Sequence, residues 1–119
     1  MITLDPRAVA GGAIGVGARP ATAILFDSAD VRLVVFRIKP GQAVASHRSP
    51  SSVVLTVLEG SGFVSGPLGE IPCNAGDVVC YAPNELHGMR ASDTELHLVA
   101  TITPRPGERA AVEVSTGAA

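Results

Sequence analysis

The chain has 119 residues, of which 46% are hydrophobic and 17% are charged. This balance predicts one compact domain and excludes a disordered acidic or basic tail. Aromatic residues make up 3% and the formal net charge is −2, so neither a basic surface nor a base-stacking platform for nucleic acid is expected. Apolar runs fall short of the about 20 residues of a membrane span, and no basic leader precedes them. We expect a cytoplasmic protein that binds neither nucleic acid nor membrane.

Residues 1–21 are expected to form an N-terminal arm. They show no helical or strand period over a useful length. The glycine-rich stretch Gly11–Gly17 lacks the G-x-G-x-x-G spacing of a phosphate loop, and Pro20 interrupts the place where a helix should follow. We interpret this segment as a flexible or extended arm, whose Ile14 and Val16 could pair with the sheet edge of a neighbour.

From residue 22 to residue 103, short apolar strands alternate with Gly- and Pro-containing turns. Eight or nine strands at this spacing predict an all-β sandwich or barrel in a single domain. The candidate strands are Ala23–Asp27, Val31–Ile38, Ala43–His47, Val53–Leu58, Gly62–Ser65, Glu70–Cys73, Asp77–Ala82, His87–Ala91 and Leu96–Thr103. Residues 104–119 are interpreted as a loosely docked C-terminal tail with at most one helical turn, near Glu108–Val112.

Two of these strands are apolar on both faces. Val53–Leu58 carries apolar side chains in both directions, and Val31–Ile38 places Phe36 on one face and Val35 on the other. A barrel of this size cannot easily hide so much two-sided apolar surface. The pattern therefore predicts a homodimer.

The two cysteines, Cys73 and Cys80, are expected to be free buried thiols of a cytoplasmic protein, because a disulfide framework usually contains more pairs. Cys80 and Tyr81 are adjacent in one strand, so one of them must face the barrel interior. The two-residue alternation of side chains along a strand does not decide which of them faces inward. We favour Cys80 as a thiol packed in the core.

The side chains best suited to chemistry are the three histidines, His47, His87 and His97. Imidazole is the commonest metal ligand and the side chain whose unperturbed pKa lies nearest neutrality. His47 ends one predicted strand and His87 begins another. We therefore expect both rings at one mouth of the barrel, as catalytic groups or as metal ligands.

Two segments around these histidines resemble the two motifs of the cupin superfamily. The segments are Gly41-(x)5-His47 with Gly60 after it, and Gly76-Asp77-(x)5-Pro83-(x)3-His87. The resemblance spans about residues 31–103. It implies a cupin-type double-stranded β-helix, a jelly-roll barrel that is usually a homodimer with a pocket at its mouth. In metal-binding members that pocket holds iron, manganese, nickel, zinc or copper on three histidines and a glutamate.

The sequence departs from this pattern at the ligands. The second histidine of the first motif falls on Ser49 and its glutamate on Val53, while the asparagine that often closes the second motif falls on Ala91. Two histidines alone would supply about 5–8 kcal/mol, which corresponds to dissociation constants from sub-millimolar to about micromolar. A tight site needs another ligand, for which His97 is the best candidate and Glu85 a weaker one.

The expected function is that of a small cupin whose barrel-mouth pocket binds a small organic molecule. One form of this hypothesis includes a divalent metal (zinc, iron, manganese, nickel or copper) held by His47, His87 and His97. Two alternatives stay open. The protein could be a metal-free binding or sensing module, or an isomerase or cyclase that uses His47 or His87 as its general base.

Overall fold

The computed structural model describes residues 1–106, which form two antiparallel sheets packed face to face, with one short helix. The strands are β1 Ala21–Asp27, β2 Arg32–Ile38, β3 Ala43–His47, β4 Ser52–Glu59, β5 Ser61–Gly66, β6 Gly69–Asn74, β7 Val78–Tyr81, β8 His87–Ala91 and β9 Leu96–Thr103. The five-stranded sheet has the order β1-β2-β9-β4-β7, and the four-stranded sheet has the order β3-β8-β5-β6. The predicted all-β jelly-roll architecture is confirmed.

The hydrophobic core lies between the two sheets. In β4, Val53, Leu55 and Val57 are buried in this core, whereas the residues between them are only half-buried on the outer face. In β9, Leu96 and Leu98 are fully buried there as well. Because successive side chains of a strand point to opposite faces, the central strands contribute every second residue to the core.

The N-terminal segment differs from the prediction. Residues 6–12 form helix α1 (Pro6–Gly12), whose N-cap is Asp5. The Asp5 carboxylate accepts hydrogen bonds from the backbone N–H groups of Arg7 and Ala8, at 3.1 and 3.2 Å. The extended arm was therefore the wrong interpretation, because an Asp N-cap followed by Pro at the first helical position is a start signal that does not need a long periodic pattern.

This helix covers part of the apolar outer face of the five-stranded sheet. It packs against β1, β2 and β9, and both Ala10 of the helix and Val35 of β2 are completely buried. Val35 lies outside the core between the sheets. Part of the two-sided apolar surface is thus covered by the chain itself.

The remaining expectations have mixed outcomes. Cys73 and Cys80 are both free, but Cys73 is buried and Cys80 is exposed, so burial of both thiols was wrong. Within residues 1–106 no helix is long and apolar enough to cross a membrane. The helical turn expected near Glu108–Val112 lies outside the described residues.

Candidate functional site

His47 and His87 lie side by side inside the barrel. His47 is the last residue of β3 and His87 the first of β8, and the two pair directly across the strands. Their ring centroids are 4.1 Å apart and the ring planes are inclined by 60°. His87 is 1% exposed and His47 is half-buried. The structure thus brings together the two histidines that the motifs indicated.

A β-bulge makes this pairing possible. Val44 pairs with Met89, and His47, three positions further along β3, pairs with His87, which is only two positions from Met89 in β8. Val44 and Met89 both belong to the core. In a regular strand the odd spacing would turn His47 away from the core side, and the extra residue of the bulge restores its inward orientation.

Backbone hydrogen bonds fix the protonation of both rings at one nitrogen. The Nδ1 atom of His47 lies 2.9 Å from the carbonyl oxygen of Ala45, and Nδ1 of His87 lies 3.1 Å from that of Glu85. A carbonyl oxygen only accepts, so each Nδ1 carries a proton and donates it. In the neutral ring the lone pair is then on Nε2, the nitrogen suited to accept a proton or bind a polar group.

Tyr81 forms a third wall of this site. Its ring centroid lies 5.0 Å from that of His87, and its hydroxyl donates a 2.7 Å hydrogen bond to the carbonyl oxygen of Ser65. Burial raises the pKa of Tyr81 to about 12, so the phenol is neutral at physiological pH. Tyr81 faces inward and Cys80 is exposed, which means that the favoured core position of the Cys80 thiol was wrong.

An apolar groove leads to Tyr81 between the edges of the two sheets. We call it the β6–β7 groove, because β6 and β7 are the neighbouring edge strands of the two sheets. It has a volume of about 190 Å³, and its apolar lining comprises Val64, Pro67, Leu68, Ile71, Val79 and Tyr81. Leu68 and Ile71 are strongly exposed. The described part of the chain therefore presents exposed large hydrophobic side chains in a groove that Tyr81, the neighbour of His87, also lines.

His97 does not share this site. It lies between the core residues Leu96 and Leu98 in β9 and therefore points to the outer face of the sheet. Its Nε2 donates a 2.9 Å hydrogen bond to the Glu95 carboxylate, which also receives Arg37 Nε at 2.8 Å. Hydrogen bonds from Arg37 and then from His97 lower the pKa of Glu95 to about 2.

The described residues do not fit the four-ligand metal centre of the cupin motifs. Val53 occupies the position of the glutamate and is fully buried in the core, and Ser49 occupies that of a histidine. The Glu85 carboxylate accepts the backbone N–H of Ala82 at 2.7 Å and is thereby held in its turn. Within residues 1–106, no group of three or more His, Cys, Asp or Glu side chains is arranged to hold a metal ion.

The sequence interpretation left out Tyr81 as a site residue and the whole β6–β7 groove. The inward direction of Tyr81 follows from its pairing with Val53 of β4, which period alone does not give. The sequence does contain one signal for the groove. The turn Gly66-Pro67-Leu68-Gly69 includes a large apolar residue, Leu68, whose side chain is fully exposed.

Comparison with solved structures shows several similar folds. A protein from Thermus thermophilus is 25% identical, with a TM-score of 0.80 over 89% of this chain and 100% of that one. An RmlC-like cupin from Desulfovibrio desulfuricans is 28% identical, with a TM-score of 0.67 over 76% of this chain and 90% of that one. An uncharacterized conserved protein with a double-stranded β-helix domain from Klebsiella pneumoniae is 24% identical, with a TM-score of 0.75 over 83% of this chain and 90% of that one.

The family comparison agrees with these structures. No protein of curated function matches the chain significantly. The family model described as the cupin domain matches residues 34–103, a span that includes the histidine pair, Tyr81 and the β6–β7 groove. Since this match covers more than half of the chain, the protein belongs to the cupin family.

Proposed function

We propose that this protein binds a small organic molecule inside the barrel, with its polar group at His47 and His87 and its apolar part in the β6–β7 groove. The observation that carries the proposal is the inward-facing imidazole pair, whose Nδ1 atoms both donate to backbone carbonyls. This arrangement leaves Nε2 of each neutral ring as the basic nitrogen.

The groove limits the size of the ligand. Its volume of about 190 Å³ compares with the cavity of about 150 Å³ that accommodates benzene in an engineered protein. Tyr81 lines the groove and also contacts His87. A ring-sized molecule with one oxygen-containing group would therefore place its apolar part against Leu68 and Ile71 and its oxygen towards the imidazoles.

Binding can be measured by ligand-observed NMR with phenol, benzaldehyde, benzoate and cyclohexanone as probes at millimolar concentrations. We expect saturable binding of at least one probe, loss of that binding in His47→Ala and His87→Gln, and full retention in His97→Ala. His97→Ala is the matched control, because it removes an imidazole from the outer face of the same barrel. Equal binding by all three variants, or no binding by the wild type, would contradict the proposal.

Proton transfer is a second candidate, and the fixed protonation of the rings favours it. Nε2 of a neutral imidazole would take a proton from the carbon beside a carbonyl group, leaving an enolate and an imidazolium. The imidazolium would return the proton to the same carbon or to another carbon of the enolate. The second outcome is an isomerisation, and neither outcome consumes a co-reactant.

This candidate can be tested by deuterium exchange. Cyclohexanone in D₂O should exchange its α-hydrogens faster with the wild-type protein than with buffer. His47→Ala should lose the excess rate and His97→Ala should retain it. Ligand binding without excess exchange would leave the binding function in place and refute the proton-transfer role.

No step of the proposal uses a metal. Two imidazoles support only weak binding of zinc, iron, manganese, nickel or copper, and the described residues add no third ligand. Protein purified without an affinity tag should therefore contain substoichiometric metal, and a chelator should leave its thermal stability unchanged. Near-stoichiometric metal that the chelator removes with loss of probe binding would overturn the metal-free form.

We include a homodimer in the proposal. The outer face of the five-stranded sheet also carries the half-buried side chains of Leu33, Val54 and Val99, whose exposed parts a second copy would cover. Sedimentation should show a dimer at micromolar concentration and a monomer for Val54→Glu. A wild-type monomer would refute this part alone.

Two free thiols are consistent with a cytoplasmic location.

A further inference from the structure

A second cavity lies at the opposite end of β3 from the histidine pair. It has a volume of about 130 Å³ and is lined by the loop after α1, by Arg37 of β2, and by Lys39 and Gln42 of the turn before β3. β3 runs from Ala43 to His47, so about 13 Å of extended chain separate this cavity from the imidazoles. It is independent of the site described above.

The cavity collects positive charge that no carboxylate of residues 1–106 neutralises. Most Arg side chains of these residues pair with Asp or Glu. Four cationic side chains pair with no carboxylate of the same part of the chain, namely Arg7, Arg19, Lys39 and Arg48. Arg19 and Lys39 both line this one cavity, and the described lining contains no Asp or Glu. In a chain of formal net charge −2, this is a local concentration of the opposite sign.

Gln42 links the backbones of the two cationic residues that line the cavity. Its amide nitrogen donates to the carbonyl oxygen of Arg19 at 3.2 Å. Its amide oxygen accepts the backbone N–H of Lys39 at 2.9 Å. One side chain therefore connects the backbones of Arg19 and Lys39 and fixes their separation.

The loop that carries Arg19 is folded tightly. A Cβ atom on Gly15 would lie 3.0 Å from the carbonyl oxygen of Arg19 and 3.1 Å from the backbone nitrogen of Ala21, so the absence of a side chain lets the loop return to β1. Gly17 has a φ of +67°, which glycine adopts without strain.

Arg37 forms a neutral wall of the same cavity. Its Nε and Nη2 pair with Glu95, and its Nη1 donates to the carbonyl oxygens of Gly11 and Ala13. These carbonyl oxygens are thereby occupied by a donor. The uncompensated charges at the cavity are those of Arg19 and Lys39.

We propose that this cavity, between Arg19 and Lys39, binds a small tetrahedral oxyanion such as a phosphate group. Its volume is close to the about 150 Å³ that accommodates a benzene ring, and inorganic phosphate is smaller than benzene. Hydrogen bonds from charged donors to an anionic oxygen are the strong class of polar contact. At physiological ionic strength the Debye length is about 8 Å, so the attraction to an anion farther than this from both cations is largely screened, whereas an anion inside the cavity retains it.

The test is a titration of the full chain with inorganic phosphate at constant ionic strength, followed by the backbone amide NMR signals of residues 13–19. We expect saturable shifts, weakened about tenfold in Arg19→Gln and in Lys39→Gln. Arg48→Gln and Arg7→Gln, which remove the same charge elsewhere, should change the affinity by less than about twofold. All four residues are exposed, so these variants should fold.

A parallel titration with glycerol phosphate distinguishes the two sources of the anion. Tighter binding of the ester assigns the cavity to a phosphorylated small molecule, and equal or weaker binding assigns it to free phosphate. Unsaturable shifts, or equal weakening in Arg48→Gln and Arg19→Gln, would overturn the proposal, because both results describe general attraction to a charged surface. His47→Ala should leave the titration unchanged, which separates this site from the barrel pocket.

Discussion

The protein uses the same side chain in two opposite ways. His87 and His47 face the interior and donate from Nδ1 to carbonyl oxygens of nearby backbone. His97 lies on the outer face of the five-stranded sheet and donates from Nε2 to Glu95. In the neutral form, the interior rings therefore have their lone pairs on Nε2 and His97 has its lone pair on Nδ1.

This difference separates a site from a structural contact. The Nε2 atom of His97 donates to the Glu95 carboxylate, which also accepts a hydrogen bond from Arg37. Arg37 in turn donates to the carbonyl oxygens of Gly11 and Ala13 at the end of helix α1. His97 thus belongs to the contacts that fasten the helix to the sheet. The Nδ1 atoms of the interior pair face backbone carbonyl oxygens instead, so the lone pair of each neutral ring lies on Nε2.

The largest expected effect comes from removing an interior ring. His87→Ala leaves a cavity in the fully buried interior and the carbonyl oxygen of Glu85 without its donor, so the free energy of unfolding should fall by about 2–4 kcal/mol. His97→Ala should lower it by about 1–2 kcal/mol, because Arg37 still pairs with Glu95. Urea denaturation measures both, and a larger loss for His97→Ala would reverse the comparison.

Removing the Tyr81 hydroxyl should have a smaller effect. Tyr81→Phe keeps the ring beside His87 and removes the hydrogen bond to the Ser65 carbonyl, which should lower the free energy of unfolding by about 1 kcal/mol. The ring contact with His87 remains, so probe binding at the histidine pair should persist. Loss of binding in a folded Tyr81→Phe protein would assign the hydroxyl a direct role.

The cap of helix α1 tests whether the outer face, where His97 lies, is independent of the interior histidine pair. Asp5→Ala removes the acceptor of the Arg7 and Ala8 amides and should destabilise α1 by about 0.5–1 kcal/mol. Hydrogen exchange should then accelerate in α1 and at the outer-face residues of β9, while β3 and β8 around the histidine pair stay protected. Equal acceleration in β8 would show that the helix supports the interior site as well.

The smallest expected effect is on acid stability. The pKa of Glu95 is about 2 in the folded protein, against an ordinary value of 4.5. Its contribution to stability is present above pH 4.5 and is lost as the pH falls towards 2. Glu95→Gln should flatten this part of the urea-midpoint profile modestly, because partly exposed pairs contribute little. Asp27, whose pKa is also about 2, should retain part of the pH dependence of stability in this variant. A profile identical to that of the wild type would contradict the role of Glu95.

The sequence predicts the strands more closely than it predicts the site. Gly- and Pro-containing turns delimit strands such as Ala43–His47 and His87–Ala91, and the structure has the same bounds. Gly60 lies in a further predicted turn, and its φ of +79° favours glycine there. A Cβ atom would also collide with the carbonyl of Glu95, a contact with a residue distant in sequence. The orientation of His47 depends on a bulge in β3, whereas that of Tyr81 depends on its pairing with Val53.

His97 illustrates the same limit. Its strand was predicted, and its parity relative to Leu96 and Leu98 already placed it opposite the core side chains. The carboxylate that accepts its hydrogen bond belongs to Glu95, two positions away in sequence. Glu95 is in turn held by an ion pair with Arg37 of β2, the strand that neighbours β9. A cluster formed across two strands and a helix requires the sheet order, which local pattern does not contain.

The most direct test of the central claim is a long-range ¹H–¹⁵N imidazole NMR spectrum at a pH where the rings are neutral, recorded with and without the best-binding probe. We predict a proton on Nδ1 for His47 and His87 and on Nε2 for His97, with probe-induced shifts confined to the first two rings. A proton on Nε2 alone at His47 or His87, or probe-induced shifts at His97 instead of the interior pair, would contradict it.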